Sequence, residues 1–287
     1  MANEIEYRVN GGFLDIPELD FFGQCNTSRN GKYALGWADR VILLKHGESP
    51  KVFDLVSPEE GNVADNGNFV IASDVQPEKL SSVLNAYSPE GELLIRLKVR
   101  ALLVNNGISP SGYYAVWQTA NNPDSTDGNT LIFFDLIKRK SSWAVPPEPG
   151  WASHYEFDDA NQILNLLYRA GQSYRYSYAG EFLDAEKLET NLLNSNLPYE
   201  VLRAVEDKLG SGTITTAEHP KLIGYLEAAL SKRPEPDTKS SIYRWLGEMH
   251  YALKDRAKAV DYLEKALELN PKVGAKRLLG KIKKEMN

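Results

Sequence analysis

The sequence has very little cysteine and no long apolar run. Its 287 residues contain a single cysteine, Cys25, which excludes an intramolecular disulfide and any metal site built from a cysteine cluster. No run of about 18 apolar residues is present to span a membrane. The charged N-terminal sequence MANEIEYRVN lacks the apolar core of a signal peptide. These absences favour a cytoplasmic protein without a membrane partner.

Residue patterns for catalysis or cofactor binding are also scarce. The sequence contains no Gly-rich phosphate loop and no Gly-x-Ser-x-Gly elbow, and none of its histidines has a metal-ligand spacing: His46, His154, His219 and His250. We therefore predict no catalytic residue, no bound cofactor and no metal. The simplest interpretation of Cys25 is a buried thiol on a strand, and that of His250 is a packing residue.

Charge is distributed unevenly along the chain. The formal net charge is −6, but residues 238–287 carry 12 Lys and Arg against 6 Asp and Glu, whereas the other 237 residues carry 21 against 33. Solvated helix faces are commonly rich in lysine, which is the simpler interpretation of the basic segment. The alternative is contact with an acidic protein or a nucleic acid.

Short apolar runs separated by turn residues fill the chain from Phe13 to Asp184. One signature is a turn followed by an aromatic or apolar run, and it occurs at Ser28–Leu35, Asp65–Ile71, Ser109–Val116 and, more weakly, Asp158–Leu164. A second signature follows each of these, starting at Leu44, Tyr87, Phe134 and Tyr176. The starts of the second signature are 43, 47 and 42 residues apart. This spacing indicates an internal repeat with two tight turns per unit.

Two turns per unit of about 45 residues, with strands between them, are typical of a β-propeller blade. The segment resembles the WD40-like or YVTN-like propeller repeats, without the Gly-His and Trp-Asp pairs of true WD40 sequences. The resemblance implies that residues 1–184 form a propeller-like all-β domain of about four blades, each with four antiparallel strands.

Four blades leave the closure of the ring undecided. The sequence allows a small four-bladed ring, an open array of sheets, or two chains that share an eight-bladed ring through their edges. The first strand, Glu4–Val9 or Phe13–Ile16, is expected to complete the last blade. A homodimer through the propeller edges is therefore one expected assembly.

Aromatic residues of this region are candidates for a ligand surface at the propeller mouth. The candidates are Trp37, Trp117, Trp143, Trp151, Tyr113 and Tyr174. Most aromatic residues of a propeller pack between blades, so we expect about three quarters of them to be core residues.

After Leu183 the pattern changes to helices, so residues 185–287 are expected to form an all-α domain. In Ser241–Pro271, apolar residues repeat at helical spacing in two segments joined by a short turn. Small residues at Gly247, Ala259 and Ala266 permit close helix packing, and Pro271 ends the second helix. This segment resembles a tetratricopeptide repeat, a helix pair that stacks into a concave binding surface.

The resemblance also implies which residues face the groove of the repeat. These are Ser241, Arg244, Glu248, Tyr251 and Ala252. The alternative for Arg244 and Glu248 is a simple ion pair between residues four positions apart. The final helix is expected to expose a basic surface formed by Lys276, Arg277, Lys281, Lys283 and Lys284, as a polar capping helix does.

Three functions follow from these patterns. The leading hypothesis is a non-enzymatic adaptor that binds another protein or a peptide through the propeller-like surface and the helical groove. The second is a nucleic-acid accessory protein that binds through the basic C-terminal helices. The third, from fold analogy alone, is a propeller hydrolase or ligand-binding protein that uses His154, Asp158 and Asp159.

Overall fold

The computed structural model describes residues 7–169 and 171–286. By its internal contacts the chain divides into two compact units, Met1–Asp184 and Ala185–Asn287. The first unit consists of β-strands in four antiparallel sheets, and the second consists of helices. The predicted order of an all-β region followed by an all-α region is therefore confirmed.

The first sheet is a meander of six strands, with each strand pairing with the next along the chain. Its strands are β1 (Arg8–Asn10), β2 (Phe13–Ile16), β3 (Phe21–Thr27), β4 (Tyr33–Trp37), β5 (Val41–Lys45) and β6 (Lys51–Phe53). The last four correspond to one predicted blade, and the hairpin β1–β2 extends that blade by two strands.

The second and third sheets are the four-stranded meanders predicted from the repeat. The second contains β7 (Glu59–Val63), β8 (Phe69–Gln76), β9 (Ser81–Tyr87) and β10 (Leu93–Val99). The third contains β11 (Leu103–Ile108), β12 (Tyr114–Thr119), β13 (Leu131–Asp135) and β14 (Lys140–Val145). The fourth has only β15 (His154–Asp158), β16 (Ile163–Leu167) and β17 (Ser173–Ser177), extended by a single bridge between Tyr176 and Phe182.

The expectation that the first strand completes the last blade is wrong. Residues 13–16 form β2 and pair with β3 of the first sheet, where Ile16 lies opposite Phe21. Residues 8–10 form β1 and pair with β2, while residues 4–6 of the other candidate strand lie outside the described residues. The physical reason is local, because a short turn makes hairpin pairing with the neighbouring strand cheaper in chain entropy than closure across the whole domain.

Consecutive sheets pack through the first strands of their blades. β7 lies against β3 and β4, β11 lies against β7 and β8, and β15 lies against β11. Over residues 7–169 and 171–286, no comparable contact joins the fourth sheet to the first. Over the described residues, the four sheets of one chain therefore follow one another without a closing contact of this size, which disfavours a small four-bladed ring within a single chain.

Asparagine side chains link these first strands from sheet to sheet. The Nδ2 of Asn26 on β3 donates to the Gly61 carbonyl at 2.7 Å, and the Nδ2 of Asn62 on β7 donates to Asn106 Oδ1 at 2.8 Å. The Nδ2 of Asn106 on β11 returns a bond to the carbonyl of Glu60 at 2.6 Å. Because each amide has both donors and an acceptor, a row of asparagines can satisfy backbone groups on neighbouring strands.

The turns of the first signature are a second link between blades. In the first turn Asn30 donates its backbone N–H to Asp65 Oδ1 at 2.7 Å, and the Asp65 N–H donates to the carbonyl of Pro110 at 3.0 Å. In the repeat these three residues occupy successive turns. The signature therefore marks positions where one blade fixes the next, as well as positions where the chain reverses.

The apolar core of this unit is divided into layers between sheets. Val70, Leu84, Trp117 and Phe134 belong to the layer between the second and third sheets, and each is at most 2 % exposed. A similar layer lies between the first and second sheets, and another between the third and fourth. Cys25 is 4 % exposed in the core of the first sheet, which confirms the interpretation of a buried strand thiol.

The helical unit consists of six helices joined by short connections. Its helices are α1 (Ala185–Leu193), α2 (Pro198–Gly210), α3 (His219–Ser231), α4 (Pro236–Ala252), α5 (Arg256–Leu269) and α6 (Lys276–Met286). Each helix packs against the next, and α2 also contacts α4. In the described part of the chain, no helix is both long and apolar enough to cross a membrane.

Helices α4 and α5 are the closest pair, and small residues make this approach possible. A Cβ on Gly247 would lie 2.6 Å from Leu263 Cγ, so the glycine leaves room for the leucine of the facing helix. Ala259 and Ala266 on α5 are fully buried, and the Ser240 hydroxyl donates to the carbonyl of Ala266 at 2.9 Å. These are the small residues from which the sequence predicted close packing.

Candidate functional site

The first candidate surface lies where the first strands of the blades meet. Two clefts open there, of about 550 Å³ and about 490 Å³, and both are lined by Glu60 of β7. We call them the aromatic cleft and the histidine cleft, and together the axial groove. All of the residues that line the groove belong to the β unit.

The aromatic cleft owes one wall to the N-terminal hairpin. Phe13 on β2 and Phe22 on β3 point to the same face, where their rings stack with centroids 5.4 Å apart and planes 3° apart. Both rings are open to solvent, with residue exposures of 42 % and 67 %. The lining also includes Trp37 of β4 and the two glutamates of β7, Glu59 and Glu60.

Strand alternation explains why these aromatic residues are exposed. On β3 the side chains of Phe21 and Cys25 enter the core, so Phe22, one residue further along, points to the opposite face. Leu14 of β2 is buried beside Gly36, whose missing side chain gives it space, and this places Phe13 on the exposed face. The pleat thus separates a buried row from an exposed aromatic row.

Glu60 occupies a β-bulge between the two clefts. The register of β7 against β8 shifts between Glu59 and Gly61, and Glu60 has a positive φ of 41°. A bulge redirects one side chain out of the regular alternation. Burial, helped by the neighbouring charge of Glu59 and opposed by a hydrogen bond from the Asn106 backbone, raises the pKa of Glu60 to about 7.

The histidine cleft lies on the other side of Glu60, against the third and fourth sheets. Its lining includes Asn105, Trp151, His154 and Tyr168. Tyr155 lies beside Asn105, and its hydroxyl is within hydrogen-bond distance of Asn105 Oδ1 and of Gln118 Oε1, the latter at 2.7 Å. Burial raises the pKa of Tyr155 well above its usual value, so this phenol is a neutral donor that fixes the amides.

The six candidate aromatic residues separate into core and surface. Trp117 and Tyr174 are buried, and Trp143 stacks on Phe133 and donates its Nε1–H to the Tyr178 carbonyl at 3.0 Å. Trp37 is 8 % exposed but lines the aromatic cleft, and Trp151 lines the histidine cleft at 49 % exposure. The sixth, Tyr113, is 49 % exposed and contributes to neither cleft.

The three residues of the hydrolase hypothesis do not converge. His154 begins β15 and Asp158 ends it, which separates them by about 13 Å of extended chain. The carboxylate of Asp158 accepts two bonds from Asn161 in the following turn, and that of Asp159 accepts the Tyr178 hydroxyl at 2.6 Å. Of the three, His154 alone lines either of the two clefts described above, and the separation along β15 keeps the three from acting on one substrate atom in this arrangement.

The second candidate surface is the face of α4 that the repeat resemblance assigns to the groove. Arg244 lies between two carboxylates, with Glu248 Oε1 at 3.6 Å and Glu206 Oε1 of α2 at 3.7 Å. Its guanidinium carbon is 4.2 Å from the ring centroid of Trp245, whose Nε1–H donates to Glu206 at 2.7 Å. The ion pair expected between Arg244 and Glu248 is therefore present, as one part of a larger network.

The same face of α4 continues toward α6. Tyr251 donates its hydroxyl to Glu285 Oε1 at 3.1 Å, and Ala252 is exposed at the end of the helix. Ser241 and Glu248 are half-buried, and burial raises the pKa of Glu248 against the opposing charge of Arg244. The predicted positions thus line a strip of α4 that is bounded by side chains of α2 and α6.

The predicted basic surface on α6 is partly neutralised within the unit. Lys283 Nζ lies 2.6 Å from Glu264 Oε1, and Lys281 Nζ lies 3.9 Å from Glu285 and 5.2 Å from the ring centroid of Tyr251. The other three residues of this surface, Lys276, Arg277 and Lys284, are exposed. Fewer free cations are therefore present for phosphate groups than the sequence count suggests.

Comparison with known proteins bears on both units. The sequence model of the tetratricopeptide repeat matches residues 240–273. This range begins in the second turn of α4, includes the rest of α4 and all of α5, and ends in the turn after α5. The C-terminal resemblance is therefore confirmed for one complete repeat. The sequence matches none of the curated proteins with which it was compared.

Several solved structures are similar to parts of this chain. A eukaryotic initiation factor is 13 % identical over 61 % of this chain and 49 % of its own, with a TM-score of 0.37. Hsv2 of Kluyvelomyces marxianus is 7 % identical over 61 % and 57 %, with a TM-score of 0.38, and the C-terminal WD40 domain of Sif2 is 14 % identical over 52 % and 43 %, with a TM-score of 0.37. This chain thus spans about half the length of each.

Sequence reasoning named Trp37, Trp151 and His154 of the axial groove but missed Phe13, Phe22 and Glu60. Phe13 and Phe22 were recognisable only as members of apolar runs, and Glu60 only as a surface charge. One signal was available, since Asn26, Asn62 and Asn106 each precede a turn of the first signature by two or three residues. That recurrence marks the strands that line the groove, although it does not say which side chains face into it.

Proposed function

We propose that this protein is a non-enzymatic adaptor that binds other proteins through the axial groove and through the α4 surface. Tetratricopeptide repeats and propeller-like folds are generally protein-interaction modules. The observation that carries the proposal is the exposed aromatic row of the axial groove, Phe13, Phe22 and Trp151. Exposed aromatic residues in a cleft are the usual anchors of protein recognition.

The α4 surface supports the same function by a different chemistry. Ser241, Arg244, Glu248, Tyr251 and Ala252 are proposed as its contact residues, with Trp245 and Glu206 holding Arg244 in place. Each charge on this strip already has a partner of opposite sign, so a peptide must exchange one ion pair for another. Such exchange favours selectivity over affinity.

Affinity capture with the intact protein tests the proposal. The wild type is compared with Phe22→Ser, which alters the axial groove, and with Arg244→Glu, which reverses the central charge of the α4 surface. Ile137→Ser is the matched control, because Ile137 is 65 % exposed and lines neither surface. We expect each surface variant to lose a distinct set of proteins that the control retains. Capture of the same proteins by all four forms would contradict both surfaces.

Self-association is the second kind of partnership that we propose. The open order of the four sheets supports it, because an array without contact between its ends can pair with another array. Light scattering on a size-exclusion column is the test, with twice 32.1 kDa expected for a dimer. A molar mass of one chain at all concentrations would rule out a homodimer and leave the heterologous partners.

Binding through the basic residues of α6 to a nucleic acid remains the alternative function, and its exposed Lys276, Arg277 and Lys284 are the observation in its favour. Binding of an RNA or DNA oligomer that weakens steeply with salt would support it.

A cytoplasmic location is likewise a proposal, which rests on the sequence having one cysteine, buried and unpaired.

A further inference from the structure

The aromatic cleft combines two features that together select for a positive charge. One is the parallel stack of Phe13 and Phe22, and the other is the pair of carboxylates, Glu59 and Glu60, in the same lining. In the described part of the chain, no lysine, arginine or histidine lines this cleft. The faces of aromatic rings attract cations through their quadrupole, and carboxylates do so through their charge.

Nearby cations do not neutralise this cleft. Arg40, the arginine closest along the strands, has its guanidinium on the opposite face of the first sheet, where it donates to the carbonyl of Leu19 at 2.6 Å and lies 5.9 Å from the ring centroid of Phe21. Arg8 lies opposite Asp15 in the register of β1 and β2, and it is not among the residues that line the cleft. Among the described residues, no cationic side chain of the cleft lining faces the two glutamates.

The charge of the whole unit acts in the same direction. Residues 1–184 contain 15 Lys and Arg against 24 Asp and Glu. An acidic body with a cleft attracts cationic partners and raises their local concentration at the cleft. The raised pKa of Glu60 agrees with this, because a partially buried carboxylate without a cation costs free energy that a bound cation would recover.

We infer that the aromatic cleft binds a lysine or arginine side chain of a partner protein, between the Phe13–Phe22 stack and the carboxylates of Glu59 and Glu60. The inference rests on the proposed adaptor function and adds the chemistry of the partner. The alkyl part of the side chain lies along the rings, and the charged end reaches the glutamates. A neutral side chain of the same length lacks the second interaction.

The test uses four capped tripeptides with the intact protein. Acetyl-Gly-Arg-Gly-amide and acetyl-Gly-Lys-Gly-amide are the cationic probes, and their citrulline and norleucine counterparts are the neutral controls of matched length. Binding is followed by NMR through the indole N–H signal of Trp37, assigned with the Trp37→Phe variant. We expect saturable shifts for the cationic probes and at least about fivefold weaker binding for the neutral ones.

Substitutions separate the two interactions. Phe22→Ala is expected to weaken the binding of the cationic probes about fivefold. The double substitution of Glu59→Gln and Glu60→Gln is expected to weaken it about tenfold and to remove its dependence on salt. Glu78→Gln is the control, because Glu78 is exposed and lines neither cleft. Circular dichroism of each variant shows whether the β unit remains folded, and Phe22 is mostly exposed, so its truncation should not unfold the protein.

Several outcomes would overturn the inference. Equal binding of neutral and cationic probes would make the cleft an apolar site, and the absence of saturable shifts would remove the cation site altogether. If the Trp37 indole signal shifts with protein concentration and not with probe concentration, the cleft binds a second copy of the chain. If capture of partner proteins depends on Phe22 but not on Glu59 and Glu60, the adaptor function stands and the cation inference fails.

Discussion

At the scale of single residues, two positions lead to predictions about stability. At Gly247 the absence of a Cβ atom sets the distance between two helices, and at Glu60 partial burial raises the pKa of a carboxyl group. Gly247 allows α4 and α5 to approach, because any Cβ there would overlap Leu263. Glu60 places a carboxylate in a partly buried cleft, where its pKa is raised to about 7. Each gives a prediction with a defined sign.

The Gly247→Ala variant should be destabilised by about 1–3 kcal/mol in the unfolding of the helical unit, because the added methyl group meets Leu263 Cγ at 2.6 Å and Cδ2 at 2.8 Å. Gly224→Ala in α3 is the matched control, since its Cβ would meet nothing within 4 Å. The control should be stabilised by up to about 1 kcal/mol through helix propensity. Urea unfolding followed by circular dichroism measures both, and equal effects would contradict the close approach.

The contribution of Glu60 to stability should depend on pH. Its folded pKa of about 7 lies above the ordinary 4.5, so the folded state holds more protons than the unfolded state between these values. The contribution is therefore complete below pH 4.5 and is lost as the pH rises through 7. Relative to Glu60→Gln, the wild type should lose about 1–2 kcal/mol between pH 4.5 and 8, a figure reduced for partial solvent exposure.

The free energy of unfolding of the β unit, measured at several pH values for wild type and Glu60→Gln, checks this sign. Glu78→Gln, with an exposed side chain, should follow the wild type at every pH. A difference between wild type and Glu60→Gln that does not change with pH would mean that Glu60 ionises in the folded state as it does in the unfolded chain.

At the scale of strands and helices, regular spacing decided which elements form, and side-chain bonds decided how they join. The turns of both signatures lie between successive strands, as the repeat predicted, except that the last turn of the second signature leads from β17 to the single bridge between Tyr176 and Phe182. Helical spacing in Ser241–Pro271 likewise predicted the pair α4 and α5. The repeat did not predict the asparagine row, because a polar residue at a strand end is equally typical of an ordinary turn.

Removal of Asn62 from this row should loosen the contact between the second sheet and both of its neighbours. Asn62→Ala removes the bond to Asn106 Oδ1 at 2.8 Å and the acceptor that Asn26 uses at 3.2 Å. We expect a loss of about 1–3 kcal/mol, because partly buried amide groups are left without partners. Asn161→Ala is the control, since Asn161 is exposed and donates two hydrogen bonds within its own turn, to Asp158.

Thermal unfolding of the two asparagine variants measures this difference. Hydrogen exchange adds a local readout, because the amides of β7 and β11 should exchange faster in Asn62→Ala and remain unchanged in Asn161→Ala. If the two variants lose the same stability, the asparagine row is not what joins the blades.

At the scale of the whole molecule, the two units differ in fold, in core and in net charge. The apolar clusters of residues 14–182 and those of residues 192–282 are separate sets of side chains. We therefore propose that residues 1–184 and 185–287 are domains with their own cooperative unfolding.

Calorimetry of the intact chain tests this proposal with two variants. Gly247→Ala should lower the midpoint of one transition only, and Trp117→Ala, in the fully buried core of the β unit, should lower the midpoint of the other. A single transition that both substitutions shift together would show that the chain unfolds as one unit and would contradict the division.

The candidate site shows what could be foreseen at each scale. The groove positions on α4 followed from the repeat resemblance, and the structure brings them together with Glu206 and Glu285 of neighbouring helices. Of the axial groove, the sequence indicated Trp37 and Trp151 as candidates, but the full lining could not be foreseen. It comes from strands as far apart in sequence as β2 and β15, and only the stacking of the sheets brings them together.

The sequence by itself determined the elements and their class. Alternating apolar residues, glycine turns and helical spacing act over a few residues, so they specify strands, hairpins and the helix pair of Ser241–Pro271 wherever the chain lies. Only the tertiary structure decided that the first and fourth sheets of one chain make no closing contact, and that Phe13 and Phe22 line one cleft with Glu60. These outcomes depend on which distant surfaces exclude water together, and no local pattern encodes that choice.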